Sequence, residues 1–321
     1  MYKFVQIAIL LRNQAVIVRM MKSKEHINIS EVSQQTGVAA VTLRAWERRY
    51  GLIKPKRTPK GHRLYSNDNI EEIRQIVSWL NRGVAISKVA ELLTTAETPV
   101  QVNESDESWQ QQQQELSNTL IELKQRSLNP LLDKLNKSMP FISLCEKVYQ
   151  PLSRQLMTRW QSEPLGHQLE KQLWRQCWQR QITVMTLRAE KQKPIANCWL
   201  VNLDNQHTTL DYWLFYALLL QSGIQINAFN QLDDMNSMPR LKKSLNQPII
   251  IYSNNKIATR EINQVVKAKA IWRKDMIVMG RVAEIHHEAF SNTAIDHFGG
   301  DASTCWQSAT LQAWIERIRS K

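Results

Sequence analysis

Leu43, Trp46 and Tyr50 recur at helical spacing within residues 41–50. At 100° per residue they fall within about 60° of one another and predict one apolar face. Thr42, Arg44, Ala45, Arg48 and Arg49 are expected on the opposite side. Upstream, Ser30-Glu31-Val32 predicts a short helix with Ser30 as its N-cap, and Thr36-Gly37-Val38 predicts the tight turn that ends it. Helix, glycine turn and helix make a helix-turn-helix, a motif whose second helix suits a major groove. Residues 52–57 and 62–65 flank Thr58-Pro59-Lys60-Gly61. Pro at the second and Gly at the fourth place fit a type I turn between two short strands, forming a wing.

Further along, Ser66-Asn67-Asp68-Asn69 predicts a helix start, with Ile70, Ile73, Val77 and Leu80 on one face and Gly83 just past the end. A short helix follows at 87–93. Residues 95–107, with Pro99, Ser105 and several acids, read as a linker. Residues 108–192 show helical periodicity throughout: Leu116, Leu120 and Leu123; then Phe141, Leu144, Cys145, Val148, Leu152 and Leu156, with Pro151 as a kink or break; then Leu169, Leu173, Cys177, Val184 and Leu187. This predicts a helical bundle of four or more helices. Residues 193–321 alternate in type. Strands are expected at 196–203, 224–229, 248–253 and 276–280, with a fifth at 294–298. Helices are expected at 210–222, 238–245, 257–268, 282–290 and 304–318. Such alternation implies a parallel sheet covered by helices on both faces. Residues 1–25, with an apolar run at 5–11 between Lys3 and Arg12, are read as an extension ahead of a DNA-binding domain at 26–94, with Met20-Met21 as the alternative start.

Charge narrows the partner. Between Arg44 and Arg63 stand eight Lys or Arg and one acid, Glu47, and the whole chain carries a net charge of +13. A one-sign run this dense points to a polyanion, with affinity that falls steeply as salt rises. No apolar run reaches the length of a membrane span. Cys145, Cys177, Cys198 and Cys305 are scattered without ligand spacing and are expected to be reduced and partly buried. Neither a P-loop nor a nucleophile elbow occurs, and His286-His287 are adjacent rather than four apart, so no enzyme class is indicated.

The run TLRAWERRYGL followed by GHRLY resembles the DNA-binding domain of MerR-family transcription regulators over about residues 28–93. Its Trp-Glu-Arg-Arg-Tyr form is similar to the curli-type (MlrA-like) branch and to cobalamin-dependent, light-responsive regulators. Ala39 departs from the pattern, since the family often has a Ser or Asn helix cap there. No cysteines lie between 81 and 118, which sets the chain apart from the family's thiolate metal sensors. The resemblance implies a cytoplasmic, nucleoid-associated homodimer that grips a promoter inverted repeat and distorts it so that RNA polymerase engages, most simply as an activator. Thr42, Arg44 and Arg48 are the candidates for the major groove, and Arg49, Lys60, His62, Arg63 and Tyr65 for phosphate or wing contacts.

A second resemblance concerns the rest of the chain. Trp160, nine residues and Glu170 look like the helical cap of cobalamin-dependent MerR photoreceptors, with Lys171 where those carry His. The last domain resembles the flavodoxin-like cobalamin-binding fold, whose ligands sit beyond the carboxyl ends of the strands. That family has Asp-x-His-x-x-Gly after its first strand. Here the run is Asn205-Gln206-His207-Thr208-Thr209-Leu210, keeping His207 but replacing the Asp, which would orient the cobalt-binding imidazole, and the Gly, which would leave room. Ser253 aligns with the family's later Ser motif and Gly280-Arg281 with its Gly-Gly. No cofactor is therefore expected, and the region is read as a docking or regulatory-partner module. The alternative is a cobalamin-responsive regulator using His207 as the cobalt ligand, with Trp160, Glu170 and Ser253 around it. A cobalamin enzyme would need a catalytic partner domain, which the sequence does not show.

Overall fold

The computed structural model describes residues 26–94, 105–162, 167–204, 209–230, 232, 247–272 and 274–320. The chain divides into two compact units, Met1–Asp106 and Glu107–Lys321.

The first unit begins with β1 (Ile27–Asn28) and α1 (Ile29–Thr36). Asn28, not Ser30, caps this helix: its side-chain oxygen accepts from Ser30 N at 2.9 Å and Glu31 N at 3.0 Å. The helix starts two residues earlier than expected because strand β1 delivers Asn28 already extended. Gly37, at φ +69°, ends it. α2 (Ala40–Ala45) follows from an Ala39 that offers no side-chain acceptor, as expected. α2 runs directly into a π-helical turn, Trp46–Tyr50, which Gly51 closes at φ +65°.

Leu43 and Trp46 are fully buried, but so are Thr42 and Ala45, which the helical period places outside. This short helix packs against α1, and the π turn that continues it packs against α4 (Ile86–Thr94), so the buried stripe is wider than a single face. The wider π turn advances each residue by less than 100° and leaves Tyr50 only half-buried.

β2 (Lys56–Arg57) and β3 (Arg63–Tyr65) form the wing, and β1 extends it into an antiparallel sheet of order β1-β3-β2. The turn closes as its sequence predicts: Gly61 N donates to Thr58 O at 2.8 Å and Thr58 N to His62 O at 2.8 Å. A reciprocal capping box between Ser66 and Asn69 starts α3 (Asn67–Asn81), which buries Ile70, Ile73, Ile76 and Leu80. Ile76 takes the place foreseen for Val77, because 3.6-residue spacing from Ile73 and Leu80 brings position 76 closest to the core.

In the second unit, α5 (Ser105–Ile121) and α6 (Gln125–Ser138) precede α7 (Phe141–Leu144). A second π turn, Cys145–Tyr149, joins α7 to α8 (Gln150–Ser162). Pro151 has no N–H to donate and its ring crowds the preceding turn, and the ladder widens there instead of breaking. α9 (Gln168–Ala189) is the longest helix described. Its Trp178 meets Tyr149 edge-on at 4.9 Å, and the Tyr149 hydroxyl donates to Asn136 Oδ1 at 2.7 Å inside the bundle.

The sheet consists of β4 (Ala196–Asn202), β5 (Ile224–Phe229), β6 (Ile249–Tyr252), β7 (Met276–Met279) and β8 (Asp296–Phe298). All neighbours are parallel and the order is β5-β4-β6-β7-β8. This is the flavodoxin-like winding, with its reversal between β4 and β6. α10 (Leu210–Gln221) buries every residue from Tyr212 to Leu220, because it lies between α9 and the sheet. α11 (Thr259–Ile271), α12 (Arg281–Ile285) and α13 (His287–Ser291) follow. Ser308 then divides the helix expected at 304–318 into α14 (Ala302–Gln307) and α15 (Ala309–Arg319) by capping the second. The helix expected at 238–245 lies outside the described residues, as do residues 1–25 and most of the linker.

Candidate nucleic-acid interface and sheet switch point

The π turn puts Arg48 and Arg49 in solvent, with Arg44 half-buried beside them. Arg48 Nε donates to Arg44 O at 3.4 Å, which lays its side chain along the helix. Lys60 and His62 project from the wing and are exposed. The four cations and His62 form one surface on two elements that share a small core.

Three other candidates change role. Thr42 is completely buried, so its side chain cannot reach a groove. Tyr65 is only 1% exposed; it pairs with Ile27 in the sheet, and burial pushes its phenol up to about 12. Arg63 is held by Glu47, whose other carboxylate oxygen accepts from Arg57 Nη2 at 2.6 Å. Burial alone would raise the Glu47 carboxyl, but the two guanidiniums outweigh it and hold it below the usual range. The lone acid in a run of cations was the signal for this residue in the sequence.

The second candidate site lies where the sheet order reverses. Asp204, just past β4, is 1% exposed. Its Oδ1 accepts from Ser253 Oγ at 2.6 Å, Asn254 N at 3.1 Å and Asn255 Nδ2 at 3.0 Å. Asn254 in turn donates to Asp211 Oδ2 at 2.8 Å. Sequence reasoning passed over Asp204 and Asp211, since nothing local separates them from loop acids. Asp211 is pushed up to about 6 by burial and then by Asp301, against the hydrogen bond from Asn254 and the charges of Arg154 and Arg281.

His207, the candidate cobalt ligand, lies outside the described residues. The other residues implied for a corrinoid do not fit that role, because the protein uses them itself. The Ser253 hydroxyl is taken by Asp204. The space beside Gly280 holds a backbone carbonyl: a Cβ there would lie 2.4 Å from Ser253 O. Trp160 Nε1 donates to Glu170 at 2.8 Å, and Glu170 also accepts from Arg159 at 3.1 Å. Leu210 opens α10, half-buried.

The four cysteines are free and buried, and burial pushes Cys177 up to about 11 and Cys305 up to about 12, which keeps them as inert thiols. Among the described residues no group of His, Cys, Asp and Glu is placed to hold a metal ion.

Asp211 makes stability depend on pH. Near pH 4 and below its carboxyl is neutral in the folded chain. As pH rises through about 6, folding must hold a charge in a poorly solvated place, and stability falls. A two-unit shift is about 3 kcal/mol at most, and partial exposure screens it to about 1–2 kcal/mol. Asp211→Asn keeps an acceptor for Asn254. It is expected to raise unfolding free energy by that amount near pH 8 and to leave it unchanged near pH 4, as read by denaturant titration at the two pH values. Equal effects at both would show that the carboxyl ionises freely.

Comparison with known proteins matches residues 27–96 to the family described as MerR HTH family regulatory protein. The HTH-type transcriptional regulator MlrA of Escherichia coli (strain K12) is 38% identical over 128 residues, covering 40% of this chain and 51% of that protein. The HTH-type transcriptional repressor CarH of Myxococcus xanthus is 29% identical over 147 residues, covering 43% and 48%. The chain thus spans about half the length of the curated relatives it matches. A monomethylamine corrinoid protein of Methanosarcina barkeri superposes with a TM-score of 0.46 at 9% identity, covering 65% of this chain and 99% of that one, a likeness too weak to assign anything.

Proposed function

We propose that this chain, whose residues 27–96 are a MerR-type helix-turn-helix domain, is a sequence-specific DNA-binding transcription regulator. The observation that carries the reading is the cationic surface of exposed Arg48, Arg49 and Lys60 with half-buried Arg44, and exposed His62 beside it, held on a recognition helix and wing that are clamped together. A major groove accepts such a helix, and arginine pairs in two-pronged fashion with guanine edges. Arg44 and Arg48 are assigned to base edges, and Arg49, Lys60 and His62 to phosphates. Acting as a homodimer on a promoter inverted repeat, the chain would present two such surfaces and deform the DNA for RNA polymerase, as an activator, in the cytoplasm. No described helix is long and apolar enough to cross a membrane.

In this reading the parts are the DNA-binding domain at 26–94, a linker at 95–107, the helical bundle at 108–192 and the α/β domain at 193–321. The last two would serve as the effector region through a protein partner. No step is routed through a corrinoid, because Ser253, Gly280, Trp160 and Glu170 are engaged within the protein. Similarity to transcription regulators rather than enzymes supports a non-catalytic role.

Arg48→Ala tests the assignment. A duplex enriched by the wild-type chain from a random-sequence library should bind the variant about tenfold more weakly at matched salt, the value of one base contact of about 1.4 kcal/mol. Unchanged affinity would remove Arg48 from the interface, and failure of the wild type to enrich any sequence would overturn the proposed function.

A further inference from the structure

Glu47 stands alone among eight cations and sits one residue before Arg48 on the recognition helix. Each of its carboxylate oxygens holds a different arginine: Oε1 takes Arg57 Nη2 at 2.6 Å and Oε2 takes Arg63 Nε. Those arginines face each other across the wing, as the paired positions of β2 and β3 on either side of the Thr58–Gly61 turn. Arg57 Nη1 also lies 3.5 Å from Gly61 O, tying the same side chain to the turn. One carboxylate therefore reaches both strands of the wing from the helix. Its side chain and that of Arg63 are largely shielded, at 15% and 18% exposure, while Arg57 is 50% exposed.

The arrangement has two consequences that act in opposite directions on DNA binding. Mechanically, it fixes Lys60 and His62 on the wing relative to Arg44, Arg48 and Arg49 on the helix, so that all can meet one duplex in register. Electrostatically, it cancels one of two guanidinium charges and holds both side chains inward. A free arginine would meet any phosphate, whatever the sequence, and each such contact releases a counterion. A cationic surface without the carboxylate would therefore bind unrelated DNA more tightly while losing the geometry that favours one sequence.

We propose that Glu47 is a specificity-determining positioning residue, which clamps the wing to the recognition helix and withholds Arg57 and Arg63 from indiscriminate phosphate contact. This rests on the DNA-binding reading above.

The test uses the full chain and two duplexes, the one enriched by the wild type and a scrambled duplex of the same length and composition, titrated over a salt series. Glu47→Gln is expected to bind the enriched duplex about tenfold more weakly and the scrambled duplex about threefold more tightly. Its salt slope on the scrambled duplex should steepen by about 1–2, for the two released arginines. Glu71→Gln adds the same unit of charge on an exposed helix position away from the clamp and should leave the ratio of affinities at its wild-type value. Movement of both duplexes in the same direction in Glu47→Gln, or a ratio equal to that of Glu71→Gln, would overturn the proposal. Should Glu47→Gln fail to fold, Arg57→Ala loosens one arm and removes its charge. It should weaken binding to the enriched duplex with scrambled-duplex binding unchanged, and equal loss on both would overturn the proposal. If the wild type enriches no sequence, the DNA-binding reading fails; if it does and Glu47→Gln keeps the wild-type ratio, the clamp proposal alone fails.

Discussion

Gly280→Ala is expected to destabilise the second unit by about 3 kcal/mol or more. Gly280 sits between β7 and α12 at φ +91° and ψ 178°, a region that is essentially glycine's alone and costs other residues about 1–3 kcal/mol. A methyl group there would also lie 2.4 Å from Ser253 O and 3.1 Å from its carbonyl carbon. Those atoms are backbone and cannot swing away. Ser253 O is already bonded to Val282 N at 3.1 Å, and Ser253 N to Met279 O at 3.2 Å, so the clash strikes the place where β6 and β7 are stitched together. Gly223→Ala is the calibrating variant. It shares the positive φ, +88°, but its Cβ would meet only Ile195 side-chain atoms from 3.5 Å outward, so it should cost about 1 kcal/mol. Denaturant titration of both variants, with hydrogen exchange at Ile250, reads the difference. If Gly280 served chiefly as clearance for a bound cofactor, its alanine variant would keep near wild-type stability, and that result would sink the steric explanation.

The second large effect is expected at Glu170. This carboxylate is 5% exposed at the corner between α8 and α9. One oxygen accepts from Trp160 Nε1 at 2.8 Å and Arg159 Nε at 3.3 Å, the other from Arg159 Nη2 at 3.1 Å and lies 3.2 Å from His167 Nδ1. Burial alone would raise its carboxyl, but these hydrogen bonds and the Arg159 charge prevail and hold it below the usual range. Its contribution is therefore present at neutral pH and is lost as pH falls through the folded value. Glu170→Ala takes the acceptor from a buried indole N–H and removes the centre of the cluster, at a cost of about 3 kcal/mol at neutral pH. Glu170→Gln keeps one acceptor without the charge and should lose about half as much. A loss below about 1 kcal/mol in Glu170→Ala would mean the carboxylate does not hold the corner, and would return it to the pool of groups available to a ligand.

The two predictions bear on one question, since both residues stand at positions that the sequence resemblance to cobalamin-binding proteins would give to a cofactor. Gly280 lies against the Ser253 backbone and Glu170 holds Trp160 and Arg159, so the predictions measure how much each contributes to the fold.

What the sequence determined by itself is whatever local spacing encodes. Gly37, Gly61 and Gly83 mark turns of the DNA-binding domain because a left-handed backbone favours glycine wherever it occurs. Leu43 and Trp46 announce the docked helix through the helical period. Strand-helix alternation after residue 193 implies a parallel sheet, because consecutive parallel strands need a crossover between them. The density of arginine and lysine around Arg48 implies an anionic partner whatever the fold.

Tertiary structure decided which side chains remained available. Thr42 faces outward on an isolated helix, but α2 packs against α1, and in the folded domain Thr42 is completely buried. Tyr65 and Arg63 lie two apart on one strand, yet one enters the core and the other turns to a carboxylate sixteen positions earlier in the chain. Ser253 and Asp204 meet only because the sheet reverses between β4 and β6. In each case the deciding partner is distant in sequence. Period and propensity act over a few residues, whereas burial and ion pairing depend on which elements the fold brings together.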